Sequence, residues 1–123
     1  MNIRKSSEDY LEQILMIREK KGEVRSIDIA AGLGVTKPSV SVAMKRLREN
    51  GYIYMDQNNL ITLSESGEEI ARNIYDRHKT LTHCLLLLGV SEEIAREDAC
   101  KLEHDISQTA YEALKKYLKD HDM

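Results

Sequence analysis

The sequence predicts a mainly α-helical chain, with an N-terminal winged helix-turn-helix over residues 1–63 and a helical dimerisation domain over 64–123 whose residues 64–78 form a linking helix. Three observations predict it. Apolar residues recur at helical spacing along most of the chain. Between Ser26 and Gly51 a small residue, Ala30, is followed four positions later by Gly34 and six further on by Val40, a spacing that lets two helices cross around a turn. Tyr52 to Leu63 then breaks the helical period with two short strand-like runs around Gln57-Asn58-Asn59, which read as a wing.

The first helix is expected over residues 6–21. Ser6 or Ser7 can cap it, Glu8 and Asp9 suit its N-terminal dipole, and Tyr10, Leu11, Ile14, Leu15 and Ile17 supply a core stripe that ends at Gly22. Asp9 and Glu12, three apart, are expected on the flank away from that stripe, where such a pair is usually solvated. In the helix-turn-helix, Thr36 is the natural N-cap of the second helix, and Pro38 is tolerated in its first turn, where no intrahelical donor is lost. Val40, Ala43, Met44 and Leu47 should face inward, leaving Lys37, Ser39, Ser41, Val42 and Lys45 outward near the end that enters a DNA major groove in this motif. Ser64 should cap a long helix over about 65–88, in which Gly67 reads as a mild propensity cost and Ile70, Ala71, Ile74 and Leu81 form the stripe. Ser91 is expected to cap a fifth helix, and a sixth runs from about Gln108 to Lys119 with Tyr111, Leu114, Tyr117 and Leu118 as its apolar side.

Composition narrows the function. The net charge is -3, unevenly spread: ten Lys/Arg against eight Asp/Glu in residues 1–63, eight against thirteen in 64–123. Within 36–50, Lys37, Lys45, Arg46 and Arg48 face Glu49 alone, a basic patch of the kind phosphates attract. The run Leu85–Leu88 wraps around its helix, and a chain this short has little core to cover it, so a second subunit is expected there. Two cysteines, Cys84 and Cys100, make no disulfide framework, and no apolar run is long enough to span a bilayer, which reads as a cytoplasmic protein. No phosphate loop, nucleophile elbow or paired Cys-x-x-Cys appears, so an enzyme is not expected.

Cys100, Glu103 and His104 stand at i, i+3 and i+4, one face of the expected fifth helix, with Leu102 turned away into a stripe with Ala95, Ala99 and Ile106. Thiolate, carboxylate and imidazole are the side chains that bind divalent first-row ions, although a solvated face with one buried cysteine fits these residues equally well. His78 lies mid-helix, and His83, about 140° further round, is not placed to be its partner.

In its order of parts the chain resembles the metal-dependent repressors of the diphtheria toxin repressor and manganese transport regulator type. The resemblance is carried by Ser7-Glu-Asp-Tyr-Leu-Glu-Gln-Ile14, the helix-turn-helix, Leu63-Ser-Glu-Ser-Gly67, the Arg77-His78 pair and Cys100-x-x-Glu103-His104. It implies a regulatory metal held by Asp9, Glu12, His78, Cys100, Glu103 and His104. Asp9, Glu12, the His78-to-Cys100 spacing and the lack of an SH3-like domain in this sequence resemble the manganese branch. Cys100 is similar instead to the iron branch, since the manganese branch has a glutamate there that helps bridge two ions. Thr82 and Arg96 stand where the iron branch has ancillary ligands.

The implied function is a homodimeric repressor that senses Mn²⁺ or Fe²⁺, with Co²⁺ or Zn²⁺ able to substitute in vitro, and controls metal-uptake genes. It would bind a pseudo-palindromic double-stranded DNA operator through Ser26, Thr36, Lys37, Pro38, Ser39, Ser41, Val42, Lys45, Asn58 and Asn59. Its rival is a winged-helix regulator that responds to a small molecule or to thiol oxidation at Cys100 without metal.

Overall fold

The computed structural model describes residues 5–121; residues 1–4 and 122–123, which the expected domains include, lie outside the described residues. The elements run α1 (Lys5–Lys21), α2 (Ser26–Leu33), α3 (Lys37–Glu49), β1 (Ile53–Met55), β2 (Ile61–Leu63), α4 (Glu65–Leu87), α5 (Glu92–Leu102) and α6 (Gln108–Asp120). The chain divides into two compact units, Met1–Asn73 and Ile74–Met123, so the first turns of α4 belong with the winged helix.

In the first unit, α1, α2 and α3 close over a core in which Leu11, Ile14, Leu15, Val24, Ile29, Val40, Met44 and Ile53 are fully buried. Gly34 turns the chain at φ 67° between α2 and α3, a conformation open to glycine and unfavourable for branched residues. Thr36 caps α3 as expected, its hydroxyl accepting the Ser39 N–H at 3.3 Å. The wing is an antiparallel pair in the register Ile53–Leu63, Tyr54–Thr62, Met55–Ile61. Its turn is drawn tight by Asp56, whose Oδ1 accepts the N–H groups of Asn58 and Leu60, while Asn59 takes the left-handed conformation at φ 63°.

The start of α4 is fastened to the wing. Ser64 Oγ accepts the Gly67 N–H at 3.1 Å and donates to the Gly51 carbonyl at 2.7 Å. Gly67 is no mere propensity cost: a Cβ there would collide with the Tyr52 carbonyl oxygen, so the close approach requires glycine. Arg18 on α1 donates to Glu68 from both terminal guanidinium nitrogens, at 2.6 and 2.7 Å. One further expectation changes here. Glu12 is 6% exposed, so it lies on the buried side of α1 and not on a solvated flank.

The second unit departs from expectation around α5. Ser91 makes no side-chain cap; its carbonyl accepts the Ala95 N–H, and the hydroxyl that does cap a helix here is that of Ser107, at the start of α6. α5 stops at Leu102 instead of running through His104. Leu102 is 44% exposed, whereas Glu103 is fully buried in line with Ala95 and Ala99, so the inward stripe is Ala95, Ala99, Glu103 and excludes Leu102. Leu86, Leu87, Leu88 and Ile94 leave apolar surface on the same unit.

Candidate functional site

The outward face of α3 carries the residues that sequence reasoning selected. Thr36, Lys37, Pro38, Ser39, Ser41, Val42 and Lys45 are all exposed, as are Asn58 and Asn59 at the wing tip, while Ser26 is half-buried at the start of α2. Thr36 is occupied locally, donating to Ser39 Oγ at 2.8 Å while it caps the helix. The Ser39 and Ser41 hydroxyls, flanked by Lys37 and Lys45, lie exposed on this face. Arg25, absent from the sequence-selected set, donates from Nη1 to the Asn58 carbonyl at 3.1 Å.

The second unit assembles three donor side chains. His78 comes from α4, Cys100 from the last turn of α5, and Glu103 from the residue that ends it; one ligand atom from each lies within 4.8 Å of the others. His78 Nδ1 is 3.0 Å from Glu103 Oε2 and 3.9 Å from Cys100 Sγ. Glu103 keeps helical dihedrals (φ -60°, ψ -26°) and donates its N–H to Ala99, which preserves its i+3 relation to Cys100. His104 falls in the following turn, with Nε2 3.4 Å from Glu103 Oε1. Asp9 and Glu12 lie one turn apart on α1 in the first unit, Asp9 half-buried and Glu12 buried.

The electrostatics are those of a cation site. A fully buried carboxylate is costly unless paired. Among the described residues nothing donates a hydrogen bond to Glu103 Oε1, and its Oε2 faces the His78 ring. The His78 imidazole is held protonated up to about 10 by hydrogen bonding to Cys100 and then to Glu103, against the opposing effect of burial. A positive charge is thus stabilised between a thiol and a buried carboxylate, and the donor set fits a divalent ion in place of that proton.

Arg77 was visible in the sequence only as the neighbour of His78. It is 8% exposed, and its Nη1 donates to the carbonyls of Glu103 (3.1 Å) and Ile106 (2.6 Å), with Nη2 donating to Gln108 Oε1 at 2.8 Å. The guanidinium also lies 5.4 Å from the centre of the Tyr111 ring. It therefore holds the α5–α6 connection, and with it the main chain of Glu103, against α4. The signal was present: Arg77 occupies a stripe position between Ile74 and Leu81, where a charged side chain has to find partners inside the fold.

A winged helix-turn-helix with a basic recognition face, joined to a helical unit that assembles a metal-type donor cluster, defines a metal-responsive DNA-binding regulator. The comparisons agree. Residues 2–59 match the family model "Iron dependent repressor, N-terminal DNA binding domain", and residues 64–123 match "Iron dependent repressor, metal binding and dimerisation domain". The chain is 39% identical over 118 residues to the transcriptional regulator MntR of Salmonella typhimurium, covering 96% of this chain and 75% of that protein. It is 39% identical over 116 residues to an uncharacterised helix-turn-helix regulator of Methanocaldococcus jannaschii, covering 93% of both. Among solved structures, the manganese regulator SloR superposes with a TM-score of 0.81 at 28% identity over 97% of this chain; the chain spans only 55% of that structure's length. The chain belongs to the iron-dependent repressor family: it is a metal-dependent, DNA-binding transcriptional repressor that pairs as a homodimer.

Proposed function

We propose that this repressor senses Mn²⁺ or Fe²⁺ and shuts down metal-uptake genes when the ion is abundant. The observation that carries it is the cluster of His78, Cys100 and the fully buried Glu103. His104 is carried as a fourth donor, and Asp9 and Glu12 of α1 as further ligands on the family resemblance. A bound divalent ion would take the place of the His78 proton beside the buried carboxylate. The Arg77 clamp would keep the main chain of Glu103 in place, while an ion would displace the proton that His78 holds, so occupancy should rise with pH. The similar structure of a manganese regulator favours manganese, whereas the thiol of Cys100 favours Fe²⁺, Co²⁺ or Zn²⁺.

On DNA, Lys37 and Lys45 contact phosphates, and Ser39 and Ser41 approach base edges with Thr36 and Pro38 setting the helix end. Ser26, Asn58 and Asn59 would add contacts at the flanks, and Val42, 60% exposed, would meet a thymine methyl. Two recognition helices in a homodimer would read the two halves of a pseudo-palindrome. The test is a DNA-binding titration against Mn²⁺, anaerobic Fe²⁺, Co²⁺ and Zn²⁺, expected to show metal-dependent binding to a promoter of a metal-uptake gene. Equal affinity in excess chelator would overturn the proposal.

A further inference from the structure

The wing is short of positive charge. Residues 53–63 contain no Lys or Arg and one acid, Asp56, whose Oδ1 is engaged by the Asn58 and Leu60 N–H groups. A wing that lies against DNA meets phosphates, and a tip of amides and one carboxylate offers them little.

A cation is nevertheless fixed beside the tip. Arg25 precedes α2, and its segment is fastened to the wing: the Ile61 N–H donates to the Val24 carbonyl at 2.8 Å, and Val24 is 2% exposed. The Arg25 N–H donates to Asp28 Oδ2 at 3.0 Å, which fixes the other side of the residue. From this anchored main chain the guanidinium reaches the Asn58 carbonyl. It makes no other hydrogen bond among the described residues, and the side chain is exposed. The nearby carboxylate of Asp28 is itself paired with Lys21 at 2.7 Å. A guanidinium carries five donors in a planar fork; one tethers it here, and the others remain for an anion.

We propose that Arg25 is the phosphate contact of the wing, tethered by the Asn58 carbonyl so that its outer N–H groups meet the DNA backbone beside the groove. The inference rests on the DNA-binding reading above and deepens it, adding a sequence-independent contact from outside α3. The tether is what makes the contact effective, because a long side chain already ordered loses less freedom on binding. Arg25 would position the protein on the duplex without reading its bases.

The experiment measures binding of the Mn²⁺-loaded full chain to a mixed-sequence duplex by fluorescence anisotropy between 50 and 200 mM salt, for wild type, Arg25→Gln and Arg25→Lys. Glutamine keeps an amide N–H for the Asn58 carbonyl but removes the charge; lysine keeps the charge. Loss of one phosphate contact should flatten the plot of log affinity against log salt by about 0.9, so the advantage of wild type over Arg25→Gln shrinks about 3.5-fold across that range. Arg25→Lys should keep the wild-type slope. An Arg25→Gln slope equal to wild type, even with weaker binding, would make Arg25 a brace of the wing and overturn the inference while leaving DNA binding intact. Wild type without measurable binding at 50 mM salt would overturn both.

Discussion

Replacing Gly67 with alanine should destabilise the first unit, although helix propensity alone argues for the reverse. Within a helix, exchanging glycine for alanine gains about 1 kcal/mol. At Gly67 the added methyl would collide with the Tyr52 carbonyl oxygen and lie 3.0 Å from its carbon and 3.4 Å from Ser64 Oγ. Neither obstacle moves freely. The Tyr52 carbonyl accepts the Ser64 N–H at 2.9 Å, and Ser64 Oγ is held by the Gly51 carbonyl and the Gly67 N–H. Over-packing costs about 1–3 kcal/mol, and a backbone obstacle places this case at the upper end; after the propensity gain, a net loss of about 2 kcal/mol remains. For a unit of this size, Met1–Asn73, that lowers the melting midpoint by roughly 8–16 °C. Circular dichroism melts of metal-free wild type and Gly67→Ala make the comparison. A midpoint at or above that of wild type would refute the steric argument and restore the propensity reading.

Three other outcomes are expected. Arg77→Met leaves the carbonyls of Glu103 and Ile106 and the Gln108 amide without their donor, which should cost about 3 kcal/mol in chemical denaturation of the metal-free protein; a loss under about 1 kcal/mol would mean the clamp is replaceable. The bidentate Arg18 guanidinium holds the Glu68 carboxyl below the ordinary glutamate range, so its contribution is present above pH about 4.3 and disappears as pH falls through the lowered value. Because both side chains are partly exposed, Glu68→Gln should cost only about 1 kcal/mol at pH 7 and almost nothing near pH about 2; a pH-independent difference would show that the charge is not responsible. With Co²⁺, the wild type should show a sulfur-to-metal charge-transfer band that Cys100→Glu lacks, and the variant should shift preference towards Mn²⁺; Co²⁺-activated DNA binding without the band would make Cys100 a bystander.

The sequence by itself determined whatever is decided within a few residues. Thr36 and Ser64 cap their helices, Gly34 takes a positive φ, and the exposed face of α3 collects Lys37, Ser39, Ser41 and Lys45, because each follows from a local hydrogen bond, dihedral or helical period. The donor types at His78, Cys100 and Glu103 were legible too, and their mutual approach was implied by family resemblance. Only the tertiary structure decided which of them lies inside. A helical period cannot choose between Leu102 and Glu103 where α5 stops, and apolarity favours leucine. The choice goes to Glu103 because Arg77, 26 residues earlier, holds its carbonyl, and His78, 25 residues earlier, faces its carboxylate. Gly67 and Arg25 are similar cases: one is required by a carbonyl fifteen residues earlier, the other is oriented by a carbonyl thirty-three residues later. Such contacts join segments with no local relation, so their energies enter only when the chain has closed on itself.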